Sequence, residues 1–370
     1  MKLAFITDNG FYENNGMNFF SIANLQHITT MNNHFEEIIV VAQKTEFDGS
    51  NLELPSSNKL ILVNRRGENL VQQIKRAVKD CDMVINFGFN GLIGQFFAKK
   101  YKKKSIFYVG GCYYDIWRNI GSYKKYFLAP FLKVCFKKAI KRADYVQYVD
   151  QYLIERYPPN KFAQILVCPS ARVSINYENL QRRLKKPIIK PYKLGLIGYT
   201  HNKIKGIDTA IKAIALCNSD VILEVVGRGD TTELEKLAIS LDIELQVKFL
   251  GVMSDREQLF MWLNSLDLYL QPSLTEGLPR ATLEAMSTGC PVISSSAGGL
   301  KTLVPEKQRI EYGDFKLMAT KIDNVLANAE DYKTIVRETF EKAASYSFDK
   351  LDERRNYFYA QIVEDDKKDD

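Results

Sequence analysis

The sequence predicts an α/β protein of two doubly wound domains, and three observations predict it. Short apolar runs alternate with helical stretches, the pattern of parallel strands covered by helices. At 370 residues the chain exceeds one comfortable core, so two units of roughly 150 to 200 residues are expected. The apolar pattern lapses in Leu180-Gln181-Arg182-Arg183-Leu184-Lys185-Lys186-Pro187, where charge and proline mark a linker at about 180–190. The expected domains are therefore 1–185 and 191–345, with a closing helix over about 348–370.

In the first half, strands are expected at Leu3–Ile6, Glu37–Ala42, Leu60–Asn64, Met83–Phe87, Ser105–Val109, Tyr145–Tyr148 and Ile165–Cys168. After the first strand, Asp8-Asn9-Gly10 to Gly16-Met17 forms a turn, and a helix is expected from about Asn18. Gly16, directly before that helix, would let the backbone approach a bound group closely. Asp80-Cys81-Asp82 ends a helix and starts a strand, although its Asp-x-Asp spelling also occurs at metal sites. The six cysteines are scattered without a Cys-x-x-Cys pair and read as reduced core residues. The three histidines show no metal-ligand spacing.

The net charge of +7 is unevenly spread. Between Lys99 and Arg142 there are thirteen Lys or Arg against one acid, Asp115. Within that stretch, Tyr123 to Arg142 interleaves aromatic and aliphatic residues with lysines, and Pro130 is expected to interrupt its helix. Such a helix suits an anionic membrane surface at 99–142, and equally a core-facing helix with a lysine-rich polar face. No nucleic-acid-reading motif accompanies the charge. No apolar run approaches the roughly 20 residues a membrane-spanning helix needs, and Met1–Ile6 reads as a first strand rather than a signal peptide. These features predict a cytoplasmic protein, peripheral at the inner face of the membrane if the basic stretch binds lipid.

The second half opens with a strand, Tyr192–Ile197, then Gly198-Tyr199 to Lys205-Gly206 and an amphipathic helix through Leu216. A lysine and glycine entering a helix after a strand can set an ammonium against a pyrophosphate. Val221–Val226 is a strand followed by Gly227-Arg228-Gly229-Asp230, and Val247–Gly251 is another strand, leading to a helix begun by Ser254-Asp255-Arg256-Glu257. A terminal helix is expected from Ser347 to Val363, with Asp365–Asp370 frayed.

Chemistry concentrates in Gln271 to Gly289. An apolar run, Leu266–Leu270, ends at Gln271-Pro272, a Gly277-Leu278-Pro279 turn follows, and a helix is expected over Ala281–Thr288 with Gly289 as its stop. Unpaired N–H groups near Arg280, Ala281 and Thr282 suit a phosphate. Glu276 and Glu284, with seven residues between them, bracket that position. Carboxylates accept paired hydrogen bonds from sugar hydroxyls, so this combination suggests a sugar nucleotide.

The Glu276/Glu284 pair and its setting resemble the Glu-x7-Glu motif of family-4 glycosyltransferases. Lys205-Gly206, Gly227-x-Gly229, Phe249-Leu250-Gly251 and Gly298-Gly299 stand in family order around it. The resemblance implies the GT-B fold, two Rossmann-like doubly wound domains facing a central cleft, with an acceptor-side first domain and a nucleotide-sugar-binding second domain. It implies a retaining, metal-independent transferase that uses a UDP-, GDP- or ADP-sugar, needs no cofactor or metal, and acts on a carbohydrate or lipid-linked acceptor. Glu276 would hold the donor sugar and Glu284 the ribose; Gly277, Leu278, Pro279 and Arg280 would lie near sugar and phosphates. Lys205, Gly198, Gly227, Arg228 and the Gly16 turn would serve the donor, and Asp115 the acceptor. The pattern departs twice: Tyr199 stands where the family usually has an arginine, and the histidine near Gly110-Gly111 is missing. Lys203 or His201 could compensate. Two alternatives share the fold, a nucleotide-sugar 2-epimerase and a non-catalytic partner subunit.

Overall fold

The computed structural model describes residues 1–14, 17–21, 28–44, 51–53, 60–62, 69–119, 122–169, 173–187, 189–201 and 203–369. The chain divides into two compact units, Met1–Ser170 with Asp349–Asp370, and Ala171–Phe348.

The first unit is built on β1 (Lys2–Ile6), β2 (Phe11–Asn14), β3 (Met17–Ser21), β4 (Glu37–Val41), β5 (Asn51–Glu53), β6 (Leu60–Leu62), β7 (Met83–Phe87), β8 (Lys104–Val109), β9 (Tyr145–Tyr148) and β10 (Gln164–Val167). Among the described residues, seven of these pair in the order β10-β9-β8-β7-β1-β4-β6. Runs such as Leu3-Ala4-Phe5-Ile6 and Tyr145-Val146-Gln147-Tyr148 are buried throughout, as parallel strands covered on both faces must be.

The helix expected from Asn18 is instead a hairpin, β2 against β3, extended by β5. Phe11 and Phe20 face each other across it with rings stacked 5.8 Å apart, and such cross-strand aromatic pairs stabilise a ladder rather than a helix. Gly16 lies outside the described residues.

Pro130 does not interrupt its helix, which runs unbroken over Tyr123–Ile140. Pro130 is exposed, so the Tyr126 carbonyl it leaves without an N–H partner can be hydrated. The terminal helix, Phe348–Asp369, continues through the acidic end expected to fray. Asp365 accepts from Gln164 at 3.0 Å and Asp366 pairs with Lys104 at 3.2 Å, which ties that end to the first unit. Asp82 accepts the Lys2 N–H at 2.7 Å, a structural use of the Asp-x-Asp segment.

The second unit carries β11 (Tyr192–Ile197), β12 (Val221–Val226), β13 (Val247–Gly251), β14 (Leu268–Gln271), β15 (Val292–Ser295) and β16 (Arg309–Ile310). They pair in parallel in the order β13-β12-β11-β14-β15-β16. The order reverses between β11 and β14, and in such sheets the crevice outside the carboxyl ends at that point is where ligands bind. Two apolar clusters cover the faces, one around Leu194, Leu223 and Ile322, the other around Tyr269, Leu283 and Leu300.

The change of unit falls at 170/171, ahead of the charged stretch expected to carry it. Within that stretch, Tyr177–Lys185 forms a helix whose Leu180 and Arg183 are buried in the second unit. Arg183 donates to the carbonyls of Leu263 (3.0 Å), Asn264 (3.3 Å), Leu266 (2.7 Å) and Thr288 (2.7 Å). Those are the unpaired carboxyl ends of the helices Arg256–Ser265 and Arg280–Ser287, where a guanidinium satisfies orphan carbonyls and complements both dipoles. The helix start expected at Ser254 is capped one residue later, by the Asp255 carboxylate accepting from Glu257 N–H.

Candidate active site

The carboxyl ends of β11 and β14 converge on a cleft of about 460 Å³. Gly198, Lys205, Gly227, Arg228, Glu276, Leu278, Pro279, Arg280 and Glu284 line it. Gly277 borders them through its backbone, its carbonyl accepting from Gly299 N–H at 2.8 Å.

Lys205 reaches this place through a specific turn. A short 3-10 segment, Lys203–Lys205, ends at Gly206, whose φ of +67° starts the helix Ile207–Ile214. A Cβ on Gly206 would sit 2.0 Å from the Pro272 carbonyl oxygen, so only glycine allows the Lys205 turn to lie against the β14 loop. Leu274 N–H donates to Ile204 O at 2.8 Å and fastens the two loops. Gly227 serves a similar close approach, since its Cβ would meet the Gly198 carbonyl oxygen at 1.8 Å.

Across that junction the Lys205 Nζ lies 2.7 Å from Glu276 Oε1. The same oxygen accepts from Ser273 Oγ at 2.7 Å and Gln271 Nε2 at 3.3 Å. Gln271 is held in turn: its Oε1 accepts from Tyr269 Oη at 2.8 Å and Thr282 Oγ1 at 3.3 Å, and its Nε2 donates to Ser273 Oγ at 2.8 Å. Burial, with Glu276 and Glu284 nearby, raises the Tyr269 phenol and keeps it a donor. Glu276 is thus aimed by a buried polar network of which sequence reasoning named Glu276, its partner Lys205 and, for its N–H alone, Thr282. Alternation could have placed Tyr269, Gln271 and Ser273 on one side of the strand; what it could not supply is Thr282, eleven residues further on.

The helix Arg280–Ser287 opens after Pro279, whose side chain offers no cap to its first N–H groups. Arg280 Nε lies 3.3 Å from Glu284 Oε1, and burial outweighs that cation to raise the Glu284 carboxyl above its ordinary range. The folded state then binds the Glu284 proton more tightly than the unfolded chain. Its contribution to stability is present below the ordinary value of 4.5 and is lost as pH rises through the raised one. Thermal melts of Glu284→Gln against the parent should show the variant's relative stability increasing with pH across that window. A difference independent of pH would contradict the assignment.

Tyr199, half exposed, lines the cleft where the family arginine is expected, and its ring lies 5.5 Å from that of His201. His201 and Lys203 line a neighbouring cavity of about 400 Å³ with Asp208 and Lys212, so the expected compensation is not placed in this cleft. The cations that do line it are Lys205, Arg228 and Arg280. An apolar wall of Val252, Met253 and Leu259 faces them.

In the first unit, Asp115 stands on the helix Tyr113–Asn119, 3.7 Å from Arg156. Asp8, read from sequence only as part of a turn, accepts from Phe89 and Asn90 N–H at 2.5 and 2.7 Å at the start of the helix Gly88–Lys100. Burial raises its carboxyl despite those bonds.

Residues 191–328 match the family model described as Glycosyl transferases group 1. Protein CapJ of Staphylococcus aureus is 30% identical over 284 residues, which cover 74% of this chain and 71% of that protein. The amylovoran biosynthesis glycosyltransferase AmsK of Erwinia amylovora is 30% identical over 152 residues, 37% of each chain. Among solved structures, Anabaena HepE in complex with UDP superposes with a TM-score of 0.70 at 18% identity, covering 99% of this chain and 100% of that one. Two doubly wound units, a cleft at the switch point of the second, and this match to family and fold make one case: the chain is a GT-B glycosyltransferase and belongs to the group 1 glycosyltransferases.

Proposed function

We propose that this glycosyltransferase moves a sugar, with retention and without a metal, from a UDP-, GDP- or ADP-sugar to an acceptor hydroxyl. The acceptor is a carbohydrate or a lipid-linked chain, and the setting is cell-surface polysaccharide or glycolipid synthesis on the cytoplasmic side of a membrane. The observation that carries the reading is the Lys205–Glu276 contact of 2.7 Å beside an uncapped helix start, one cation and one carboxylate across a switch-point crevice. The UDP complex of HepE supports a nucleotide-diphosphate donor, and the name of AmsK supports polysaccharide synthesis.

On this reading the bond between the sugar's anomeric carbon and the diphosphate oxygen breaks while the acceptor oxygen bonds to that carbon on the same face. The acceptor proton passes to the departing phosphate. Lys205, Arg228 and the N–H groups at Arg280 to Thr282 stabilise the charge that grows on that phosphate. Glu276 positions the donor sugar and Glu284 the ribose, with Leu278 and Pro279 packing beside them. Gly16 and Asp115 are assigned to donor phosphate and acceptor respectively on the family resemblance. The 2-epimerase alternative is not favoured, because relatives such as AmsK are named as transferases.

Incubation with a panel of UDP-, GDP- and ADP-sugars, with and without EDTA, should show sugar release from one nucleotide class, unchanged by the chelator. Lack of turnover and binding with every nucleotide would sink the transferase reading; loss of turnover in EDTA would sink the metal-independent mechanism.

A further inference from the structure

The helix Tyr123–Ile140 has two apolar faces, and among the described residues only one is covered. Ala129, Leu132, Phe136, Ala139 and Ile140 are buried in the first unit. On the opposite side, Tyr123, Phe127, Phe131 and Val134 recur at helical spacing and are 85%, 75%, 69% and 48% exposed. Isolated surface apolar residues need no explanation, but a contiguous stripe of aromatic rings does. Lys124, Lys138 and Lys141 are exposed along the same side. No acidic residue occurs from Ile116 to Arg142. The base of the stripe is braced: Arg118 donates to Tyr126 Oη at 2.7 Å and stacks on its ring at 4.6 Å, while Lys133 covers the Tyr114 ring at 4.9 Å.

We propose that this face is an interfacial anchor for an anionic lipid surface, with Tyr123, Phe127, Phe131 and Val134 entering the acyl boundary and the lysines meeting the headgroups. Charge decides the occupant. A second copy of the chain would bring like charges together, whereas lysines bordering an apolar stripe can lay their stems on it and hold their ammonium groups at the headgroup level. Anionic headgroups supply the matching sign. The inference stands apart from the donor cleft and rests on the transferase reading only for its purpose, which is to hold the enzyme where a lipid-linked acceptor resides.

The test uses the full chain and vesicles containing roughly one-third phosphatidylglycerol in phosphatidylcholine, beside phosphatidylcholine alone. The parent should sediment with the anionic vesicles only, and less so as salt rises. An indole introduced by Phe127→Trp should shift its emission to the blue on binding, which separates insertion from surface adsorption. Phe127→Ser with Phe131→Ser leaves the charge unchanged and should weaken binding about tenfold or more. Lys124→Glu with Lys138→Glu and Lys141→Glu should do the same, with circular dichroism verifying that each variant is folded. The proposal is overturned if the parent ignores the anionic vesicles, or if the serine variant binds like the parent. It is also overturned if the stripe instead mediates concentration-dependent self-association that the serine pair abolishes, or if single-stranded nucleic acid, stacking on the rings, is held in preference to lipid. Hydrolysis of the donor, followed without vesicles, reports on the cleft independently of all these outcomes.

Discussion

Glu276→Gln lowers turnover by about 10² to 10³-fold, the loss usual when one preorganised electrostatic contact is removed from a reacting centre. The side chain keeps its shape and the fold is retained. One carboxylate oxygen of Glu276 gathers Lys205, Ser273 and Gln271 within hydrogen-bond reach, so it sets both the charge and the direction of the group proposed to hold the donor sugar. Steady-state kinetics with the donor found by the panel checks this: kcat should fall far more than KM changes. A fall confined to KM would show Glu276 to be a binding group with no preference for the transition state. Gln271→Leu reports on the positioning network. It breaks the links to Tyr269, Ser273 and Thr282 without touching the charge, and a smaller drop in kcat with KM preserved is expected. A loss of thermal stability with kinetics unaltered would make that network merely structural.

Arg183→Met is expected to be the most destabilising substitution in the second unit, at about 3 to 5 kcal/mol, because removing one side of a buried charged network strands its partners. Arg183 is 5% exposed and closes two helix carboxyl ends at once. Methionine fills much of the volume but leaves those carbonyls without donors. For a unit of this size the melting midpoint should fall by about 10 °C. Scanning calorimetry of the variant checks it, with Arg183→Lys as control. Lysine keeps the charge but lacks the planar fork, and should recover only part of the loss. A shift of a degree or less would show that water replaces the guanidinium at no cost. The effect bears on function, because the helix Arg280–Ser287 held by Arg183 at one end carries Glu284 and presents its open N–H groups to the cleft at the other.

The donor side was legible from sequence because its signals are local. The strands Tyr192–Ile197, Val221–Val226 and Val247–Gly251 coincide with their expected bounds, each being a short apolar run between turn residues. The helix near Ala281 begins at Arg280 and ends at Ser287, one residue from its expected limits. In the first half the pattern failed where tertiary pairing outweighed local preference: the residues from Met17 to Ser21 could turn either way, and packing of Phe20 against Phe11 made them a strand. Charge misled at Leu180–Lys186, which reads as a linker, whereas its Arg183 is buried among carbonyls 80 to 105 residues away.

By itself the sequence determined the strands Tyr192–Ile197, Val221–Val226 and Val247–Gly251 and, to within a residue, where the helix Arg280–Ser287 starts, though not the edge strand Arg309–Ile310. Tertiary structure alone decided that Lys205 meets Glu276. The two are 71 positions apart, and the intervening chain crosses the sheet before β14 lies down beside β11. Sequence periodicity records which face of a strand is apolar, but not which strand becomes its neighbour. That choice is made by the burial of both faces of the sheet, and here it turns two separate loops into one cleft.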